Sequence, residues 1–392
     1  MKSNYKRLGN YIEPCNEKNV ENVIKELRGI SNRKYFQKAK TNTIGIDLSK
    51  YRVVRTGQFA FNRATTRNGE KISIALRKGE DCIVSPSYRI FKSKDENILN
   101  SEYLMMWFRR PEFDRYARYK SHGSAHEFFD WEEMCEVELP IPSIEKQRAI
   151  VKEYNTVVNR IKLNEELNQK LEETAQAIYK EWFVDFEFPI DKDLALKMGN
   201  AELEGKPFKS SGGEMVWNEE LDKEVPEGWE VKLLSDFIEI KYGKDYKKLS
   251  EGKYPLYGSG GIMKYVNDYL HDKPSILIPR KGTLTNIIYI DKPFWSVDTM
   301  FYSIIKREHY GFYTYHFLNG LDFYALNVGS AVPSMTTKML NEMKLILPSY
   351  CVLKEFNDLS IILNNRLKHS ENERKTLNNF QAIFYARMSL QN

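Results

Sequence analysis

The stretch SIEKQRAIVKEYNTVVNRIKLNEELNQKLEETAQAIYKEWFVDFEF occupies residues 143–188 and contains neither glycine nor proline. One set of positions in it recurs every seven residues, and a second set follows four residues after each member of the first, which is the spacing of a coiled-coil seam. The first set consists of Ile150, Val157, Asn164, Leu171 and Ile178. This pattern predicts one long helix, about 60 Å long if about forty residues rise 1.5 Å each.

A second heptad pattern lies near the C-terminus, where Phe356 stands 206 residues after Ile150. Its members are Phe356, Leu363, Ser370, Leu377 and Phe384. The middle member of each pattern is polar, and such a residue sets the register of paired helices at some cost in stability. If the helices pair antiparallel, the two polar centres meet. The alternative is two separate surface helices, each covering its own domain.

The offset of 206 residues also relates the stretches before the two helices. HGSAHEFFDWEEMCEVELPIPS runs over 122–143 and VGSAVPSMTTKMLNEMKLILPS over 328–349, so that Gly329 follows Gly123, and Pro348 follows Pro142, by 206 residues. The block ahead of each stretch begins alike, with YKRLGNYIEP at Tyr5 and VKLLSDFIEI at Val231. The chain is therefore predicted to be a duplication of one block and one long helix.

The blocks contain apolar runs bounded by glycine, proline and serine, such as 81–91 and 275–290, which predict short strands. We predict the fold class α+β, with two mixed α/β blocks separated by two long helices that would form a coiled coil if they pair antiparallel. The predicted boundaries give a first block, a helix, a connector, a second block and a helix at residues 1–142, 143–188, 189–225, 226–348 and 349–392. The connector is rich in glycine and charge, which predicts an extended tether.

Composition excludes several classes of protein. No run of eighteen apolar residues is present, so no membrane span is expected. The N-terminus lacks the apolar segment of a signal peptide, which predicts a cytoplasmic protein. The four cysteines are scattered without a CxxC pair, which argues against a disulfide framework or a zinc knuckle.

The common catalytic patterns are also missing. Neither GxxxxGK[ST] nor GxGxxG occurs, and the glycine cluster YGSGG at 257–261 lacks the lysine of a phosphate loop. SPSY at 85–88 is similar to the Asp/Asn-Pro-Pro-Tyr loop of amino-methyltransferases but lacks its second proline, and we interpret it as a turn. His122 and His126 have the spacing of metal ligands, but Gly123 lies between them and no third ligand is evident. We therefore predict no catalytic residue and no metal site.

Basic residues in both blocks alternate with small polar and aromatic residues. Arginine and asparagine can form paired hydrogen bonds with guanine and adenine, whereas lysine and loop amides suit phosphates. A solvated charged face explains any single cluster equally well, but one cluster in each block favours DNA binding. The predicted contacts are Asn62, Arg63, Thr65, Arg67 and Lys120 in the first block, and Lys244, Lys247, Tyr257, Ser259, Arg280 and Lys281 in the second.

The helices and the connector carry a resemblance to a known family. The stretches LPIPSIEKQRAIV from Leu139, LEETAQAIYKEWFVDFEFP from Leu171 and GKPFKSSGGEMVWNEELDKEVPEGWE from Gly205 are long and specific. The second block adds YGSGGIMKYVNDYL and LIPRKGTLTNIIYIDKPFWSVDT. With these motifs the chain closely resembles the specificity subunit of type I restriction-modification systems.

The resemblance implies two target-recognition domains in a pseudo-twofold arrangement, each recognising half of a bipartite, asymmetric site in double-stranded DNA. Half-sites about 34 Å apart, one helical turn, would suit such an arrangement. It also implies two modification subunits that use S-adenosylmethionine to methylate adenine N6, and two restriction subunits that use ATP with Mg. This chain would then be non-catalytic and bind no cofactor itself. The alternatives are a stand-alone DNA-modifying enzyme and a coiled-coil adaptor that does not bind DNA.

Overall fold

The computed structural model of the chain describes residues 5–39, 45–64, 71–121, 127–327 and 334–390. The chain divides into two compact units. Unit 1 contains Met1–Asn164 and Asn372–Asn392, and unit 2 contains Glu165–Glu371. Both ends of the chain therefore belong to the same unit.

Unit 1 combines short strands with helices. Its strands are β1 Tyr5–Arg7, β2 Ile12–Cys15, β3 Arg28–Ile30, β4 Phe36–Lys38, β5 Arg52–Val54, β6 Phe59–Asn62, β7 Ile74–Leu76, β8 Cys82–Val84, β9 Tyr88–Ser93 and β10 Glu138–Pro140. Its short helices are α1 Ser101–Phe108, α2 Pro111–Lys120 and α3 Trp131–Cys135, and the long helix α4 spans Ile144–Phe183. The central sheet has the order β2-β9-β6-β7, and β1–β10, β3–β4 and β5–β8 form separate pairs.

The core of unit 1 lies between the central sheet and α1. Phe59 on β6 stacks on Phe91 of β9, with ring centroids 4.8 Å apart, and Phe108 of α1 meets both rings edge-on. Helix α1 begins at Asn100, whose side chain accepts a hydrogen bond from the Tyr103 amide at 3.0 Å. Burial of these aromatic rings holds the helix on the sheet.

Unit 2 follows the same plan with additional strands. Its helices and strands up to the last helix are α5 Lys192–Lys197, β11 Met215–Asn218, β12 Lys223–Pro226, β13 Glu230–Leu233, α6 Leu234–Phe237, β14 Ile238–Tyr242, β15 Glu251–Gly258, β16 Gly261–Val266, β17 Ser275–Pro279, β18 Ile288–Ile290, β19 Trp295–Ser296, β20 Met300–Ile305, α7 Tyr310–Asn319, α8 Thr337–Asn341 and β21 Lys344–Leu347. The long helix α9 spans Tyr350–Leu390. The central sheet has the order β14-β20-β17-β18, and β15 pairs with β16 and β19.

The two units repeat one topology. In unit 1, β1 pairs antiparallel with β10, with Tyr5 opposite Pro140. In unit 2, β13 pairs antiparallel with β21, with Val231 opposite Ile346, which stands 206 residues after Pro140. Helices α3 and α8 are separated by the same offset at both of their ends. The predicted α+β class, with two mixed blocks and two long helices, is confirmed.

Helices α4 and α9 pack antiparallel within each unit. In unit 1, Tyr154 hydroxyl lies 2.6 Å from Tyr385 hydroxyl, and further along α4, Arg160 pairs with Glu373 at 2.7 Å. In unit 2, Phe356 packs edge-on against Phe183 with ring centroids 4.9 Å apart. Within the part of the chain that the structure describes, none of the helices has both the length and the apolar character of a membrane span.

The ten predicted seam positions all lie on partly or fully buried sides of these helices. The two polar members, Asn164 and Ser370, are only 3% and 2% exposed. A buried polar residue among apolar neighbours is tolerated where it selects one alignment of the helices over others.

The segment 189–225 is folded, in contrast to the extended tether expected from its composition. It forms α5 and the β11–β12 hairpin. Phe208 stacks on Phe188 with ring centroids 4.6 Å apart, and Phe188 in turn stacks on Trp229 at 4.9 Å. A Cβ atom on Gly213 would come within 2.5 Å of the Phe208 ring. Glycine here permits close packing against an aromatic core, which composition alone cannot distinguish from flexibility.

Because this segment is folded, we expect a buried and an exposed aromatic residue near it to differ in their contribution to the free energy of unfolding. Phe188→Ala should lower the free energy of unfolding by about 3–5 kcal/mol, because it empties a buried ring site. Trp217→Ala on the nearby hairpin is the control: its side chain is 61% exposed, and the change should be within about 0.5 kcal/mol. Urea unfolding of both variants measures the difference. Equal effects would mean that the segment is only a tether.

Candidate nucleic-acid interface

An arginine directly follows one central strand of each four-stranded sheet. Arg63 follows β6 and Arg280 follows β17. The carbonyl of Arg63 accepts a hydrogen bond from the amide of Phe129 at 2.9 Å. The carbonyl of Arg280 accepts one from the amide of Met335, also at 2.9 Å. Because Met335 stands 206 residues after Phe129, the two arginines occupy equivalent positions in the repeat.

The residues that directly follow Phe129 and Met335 each cap a short helix. Asp130 begins α3 and Thr336 begins α8, where the Thr336 hydroxyl accepts a hydrogen bond from the Met339 amide at 3.2 Å. A capping side chain satisfies backbone donors that the first helical turn leaves unpaired. We call these two sites the arginine corners, formed by Arg63, Phe129 and Asp130 in unit 1 and by Arg280, Met335 and Thr336 in unit 2.

In the arginine corner of unit 1 the cap is charged and pairs with two guanidinium groups. Arg89 donates to Asp130 through Nε at 2.6 Å and through Nη2 at 2.9 Å, and Arg63 donates through Nη1 at 3.2 Å. Burial acts to raise the pKa of the Asp130 carboxyl, but the hydrogen bonds from Arg89 and Arg63 outweigh it and lower that pKa. The Arg63 side chain remains 38% exposed.

A third guanidinium lies close to this cluster. Burial lowers the pKa of Arg52, and the positive charges of Arg89 and Arg63 lower it further. Arg52 donates to the Asn16 side chain at 3.0 Å, which holds it without neutralising it. Three cations therefore surround Asp130, and with the carboxylate of Glu133, which accepts a hydrogen bond from the Asp130 amide at 2.9 Å, the cluster still has one more positive than negative charge. This excess would attract the DNA backbone.

In the arginine corner of unit 2 the cap is uncharged. Arg280 donates through Nη1 to the carbonyl of Asp298 at 3.3 Å, and its guanidinium lies 5.4 Å from the centre of the Tyr242 ring. Both partners are neutral, and within the described residues Arg280 forms no ion pair. The guanidinium is therefore oriented while its full charge remains available to a ligand.

The remaining predicted contacts of unit 1 do not all lie at the arginine corner. Asn62 ends β6 beside the corner, and its side-chain oxygen accepts a hydrogen bond from the Ala64 amide at 3.1 Å. Lys120 lies at the end of α2, pairs with Glu136 at 3.1 Å and lines a separate cavity of about 580 Å³. Thr65 and Arg67 lie outside the described residues. So do the repeated Gly-Ser-Ala sequences and both histidines of the HxxxH pattern, at 122–126 and 328–333.

Four of the predicted contacts in unit 2 lie on the surface or partly so. Lys244 and Lys247 have exposed side chains in the loop before β15, and the Lys244 carbonyl accepts a hydrogen bond from the Trp295 indole at 3.1 Å. Lys281 is exposed next to Arg280. Ser259 is half-buried, and its carbonyl accepts a hydrogen bond from Asn286 at 2.9 Å.

Tyr257 does not reach the surface. Its side chain is only 7% exposed and packs against Phe294, and burial raises the pKa of its hydroxyl to about 12. The glycine-rich sequence around it suggested a loop, but Tyr257 belongs to strand β15, whose inner face contributes to the core. The position argues against a contact with DNA, in contrast to the prediction.

Arg89 and Asp130 were not among the predicted site residues. They lie on β9 and at the start of α3, and meet Arg63 only because β9 pairs with β6, with Arg89 opposite Phe61. The local signal that remains is a helix cap, Asp130 followed by Glu133, which indicates a helix start and not a site. Among the described residues no group of three or more His, Cys, Asp or Glu side chains could hold a metal ion.

Residues 16–173 and 226–355 match the type I restriction modification DNA specificity domain. The chain therefore belongs to this family, and the resemblance seen in the helix and connector motifs is confirmed. Among its relatives, the type I restriction enzyme MjaIX specificity subunit of Methanocaldococcus jannaschii is 26% identical over 286 residues, covering 66% of this chain and 61% of the relative. The HindI specificity subunit of Haemophilus influenzae is 25% identical over 264 residues, covering 57% and 56%.

The chain thus spans about three fifths of the length of these relatives. Its fold is similar to that of the type I restriction-modification system S subunit from M. genitalium, with a TM-score of 0.59 and 14% identity. The similarity covers 98% of this chain and 95% of that one.

The charged corner predicts a pH-dependent contribution to stability. Asp130→Asn should lower the free energy of unfolding by about 1–3 kcal/mol at neutral pH, because two arginines lose their charged partner. The lowered pKa of Asp130 means that the carboxylate stabilises the fold above the ordinary value of about 3.9, and that this contribution is lost as pH falls through the folded pKa. The difference between the two proteins should therefore shrink below about pH 4 in urea unfolding. A difference that stays constant with pH would contradict this account.

Proposed function

We propose that the chain is a DNA-specificity subunit of a type I restriction-modification system, and that each unit recognises one half of a bipartite, asymmetric target. The observation that carries the proposal is the pair of arginine corners. They share one backbone arrangement, in which the carbonyl of Arg63 or Arg280 is fixed by an equivalent hydrogen bond. Family membership supports the same role.

The difference in charge between the corners supports an asymmetric target. Arginine is the side chain best suited to guanine, through its O6 and N7 atoms. In unit 1, Asp130 adds a carboxylate that can accept a hydrogen bond from a cytosine amino group, and it orients Arg63 and Arg89. In unit 2, Arg280 is supported by Tyr242 and a carbonyl group only. The two corners therefore offer different donors and acceptors to base edges.

We assign the chemistry of the system to partner subunits. Two modification subunits would use S-adenosylmethionine to methylate adenine N6, and two restriction subunits would use ATP with Mg, while this chain binds no cofactor. Family membership supports this assignment. The long helices carry the exposed apolar side chains Leu163, Ile362 and Phe380, at which docking can be tested.

Methylation in cells tests the proposal. The chain and its modification partner are produced together in a host without adenine methylation at candidate sites, and N6-methyladenine is mapped by single-molecule sequencing. We expect one new bipartite motif with two different halves, which is absent when the modification partner is produced alone. Absence of a new motif although the complex can be purified intact would overturn the proposal, and a palindromic motif would overturn the asymmetric target.

Replacing each arginine in turn by alanine tests which half-site it contacts. Arg63→Ala should relax one base position in one half-site, at a cost of about 1–3 kcal/mol for the preferred base, and Arg280→Ala should relax the other half-site. Each variant is the matched control of the other. Lys247→Ala should instead weaken binding to all sequences alike and reduce the salt dependence, as for a phosphate contact. Fluorescence anisotropy with single-base variants of the target measures all three. Relaxation of the same half-site by both arginine variants would contradict the division of roles.

A further inference from the structure

Unit 1 contains a second concentration of positive charge, formed by residues other than those of its arginine corner. It surrounds a cavity of about 610 Å³ between the β3–β4 turn, the junction of α1 with α2, and α9. Five cationic side chains and one carboxylate line this cavity: Arg33, Lys34, Lys71, Arg109, Arg115 and Asp114. The excess is therefore four positive charges.

Lys34 is the fixed centre of this group. Its backbone is left-handed, with φ of 65°, and the residue is only 5% exposed. Its ammonium group lies 2.7 Å from the Asp114 carboxylate and also donates to the carbonyl of Phe108. Burial lowers the pKa of Lys34, Asp114 raises it, and the nearby charges of Lys71 and Arg109 lower it again. Like charges are thus held close together at this cavity.

The single carboxylate is already engaged. Asp114 accepts hydrogen bonds from Lys34 and from the backbone amide of Ile72, the latter at 3.2 Å. It therefore compensates one of the five cations, and Glu112 pairs with Arg115 at 3.4 Å. The remaining three cations are left to be balanced by solvent or by a ligand.

The three remaining cations are held by neutral groups or project into solvent. Arg109 donates to the Tyr154 hydroxyl at 2.7 Å, and that hydroxyl lies 2.6 Å from Tyr385 hydroxyl on α9. These contacts orient Arg109 without neutralising it. Arg33 and Lys71 have exposed side chains and form no ion pair within the described residues. These donors, some oriented and some exposed, fit an anion that accepts several hydrogen bonds better than they fit a cation or an apolar group.

We infer that this cavity binds a phosphate group, with Arg33 and Lys71 as direct donors and Arg109 as the fixed positive background. Arginine and lysine together provide both directed and adaptable hydrogen bonds to phosphate oxygens. The phosphate belongs either to the DNA backbone or to a free anion, and the first case rests on the proposed function. A backbone contact would position unit 1 on DNA independently of base sequence.

The test replaces the two exposed donors. The double variant Arg33→Gln/Lys71→Gln is compared in the full-length chain with Lys25→Gln/Lys50→Gln, which removes the same charge from exposed positions of unit 1 that do not line the cavity. Melting temperature confirms folding, which should be unaffected because all four side chains are exposed. One arm measures binding of a target duplex by anisotropy between 50 and 200 mM salt. The other measures binding of inorganic phosphate by ³¹P NMR.

For a DNA phosphate, the wild type should lose about three- to fourfold more affinity over this salt range than the cavity variant, since one phosphate contact is gone. The control variant should behave as the wild type. For a free anion, inorganic phosphate should bind the wild type and the control but not the cavity variant, with DNA binding unchanged. If cavity and control variants are indistinguishable in both arms, the inference is wrong. Failure of the proposed function would appear differently: the wild type would bind duplexes without sequence preference. The measurement of phosphate binding by NMR would still test the inference in that case.

Discussion

Each block of this protein is closed by one antiparallel strand pair, and the rest of the structure depends on that closure. The first strand of the block pairs with the strand that leads directly into a long helix, with Tyr5 opposite Pro140 and Val231 opposite Ile346. The start and the end of each block are therefore held at one place. The first turn of α4 is also anchored, because the buried Gln147 side chain bonds the Asn100 amide at 2.9 Å and the Pro142 carbonyl at 2.8 Å. Whatever lies between the two strands can change without altering how the helix leaves the block.

The arginine corners show how such freedom can be used. The backbone hydrogen bond at each corner is the same, yet the cap is Asp130 in one unit and Thr336 in the other. An aspartate at this position orients its arginines and reduces their net charge, whereas a threonine leaves Arg280 charged on an aromatic surface. One residue that is required anyway to begin a helix thus also sets the electrostatic character of the neighbouring surface.

Much of this architecture is visible in the sequence, because helix periodicity and strand runs are local signals. The heptads of α4 and α9 and the offset of 206 residues indicate the long helices and the duplication. Arg63 and Arg280 are predicted contacts on the basis of residue type and loop setting. Their partners are not, since Arg89 and Asp130 reach Arg63 through strand pairing. The folded connector was missed because its core depends on rings far apart in the chain, such as Phe188 and Trp229.

The division of the chain into units has a consequence for how the protein is made. Unit 1 begins at the N-terminus but also requires the end of α9, where Phe384, Tyr385 and the buried Met388 pack against its core. During synthesis these residues emerge only after the whole of unit 2, so the first unit to begin folding is the last to be completed. Until then Tyr154 and its neighbours on α4 lack their partners. A truncation at the C-terminus would therefore first weaken the block at the opposite end of the sequence.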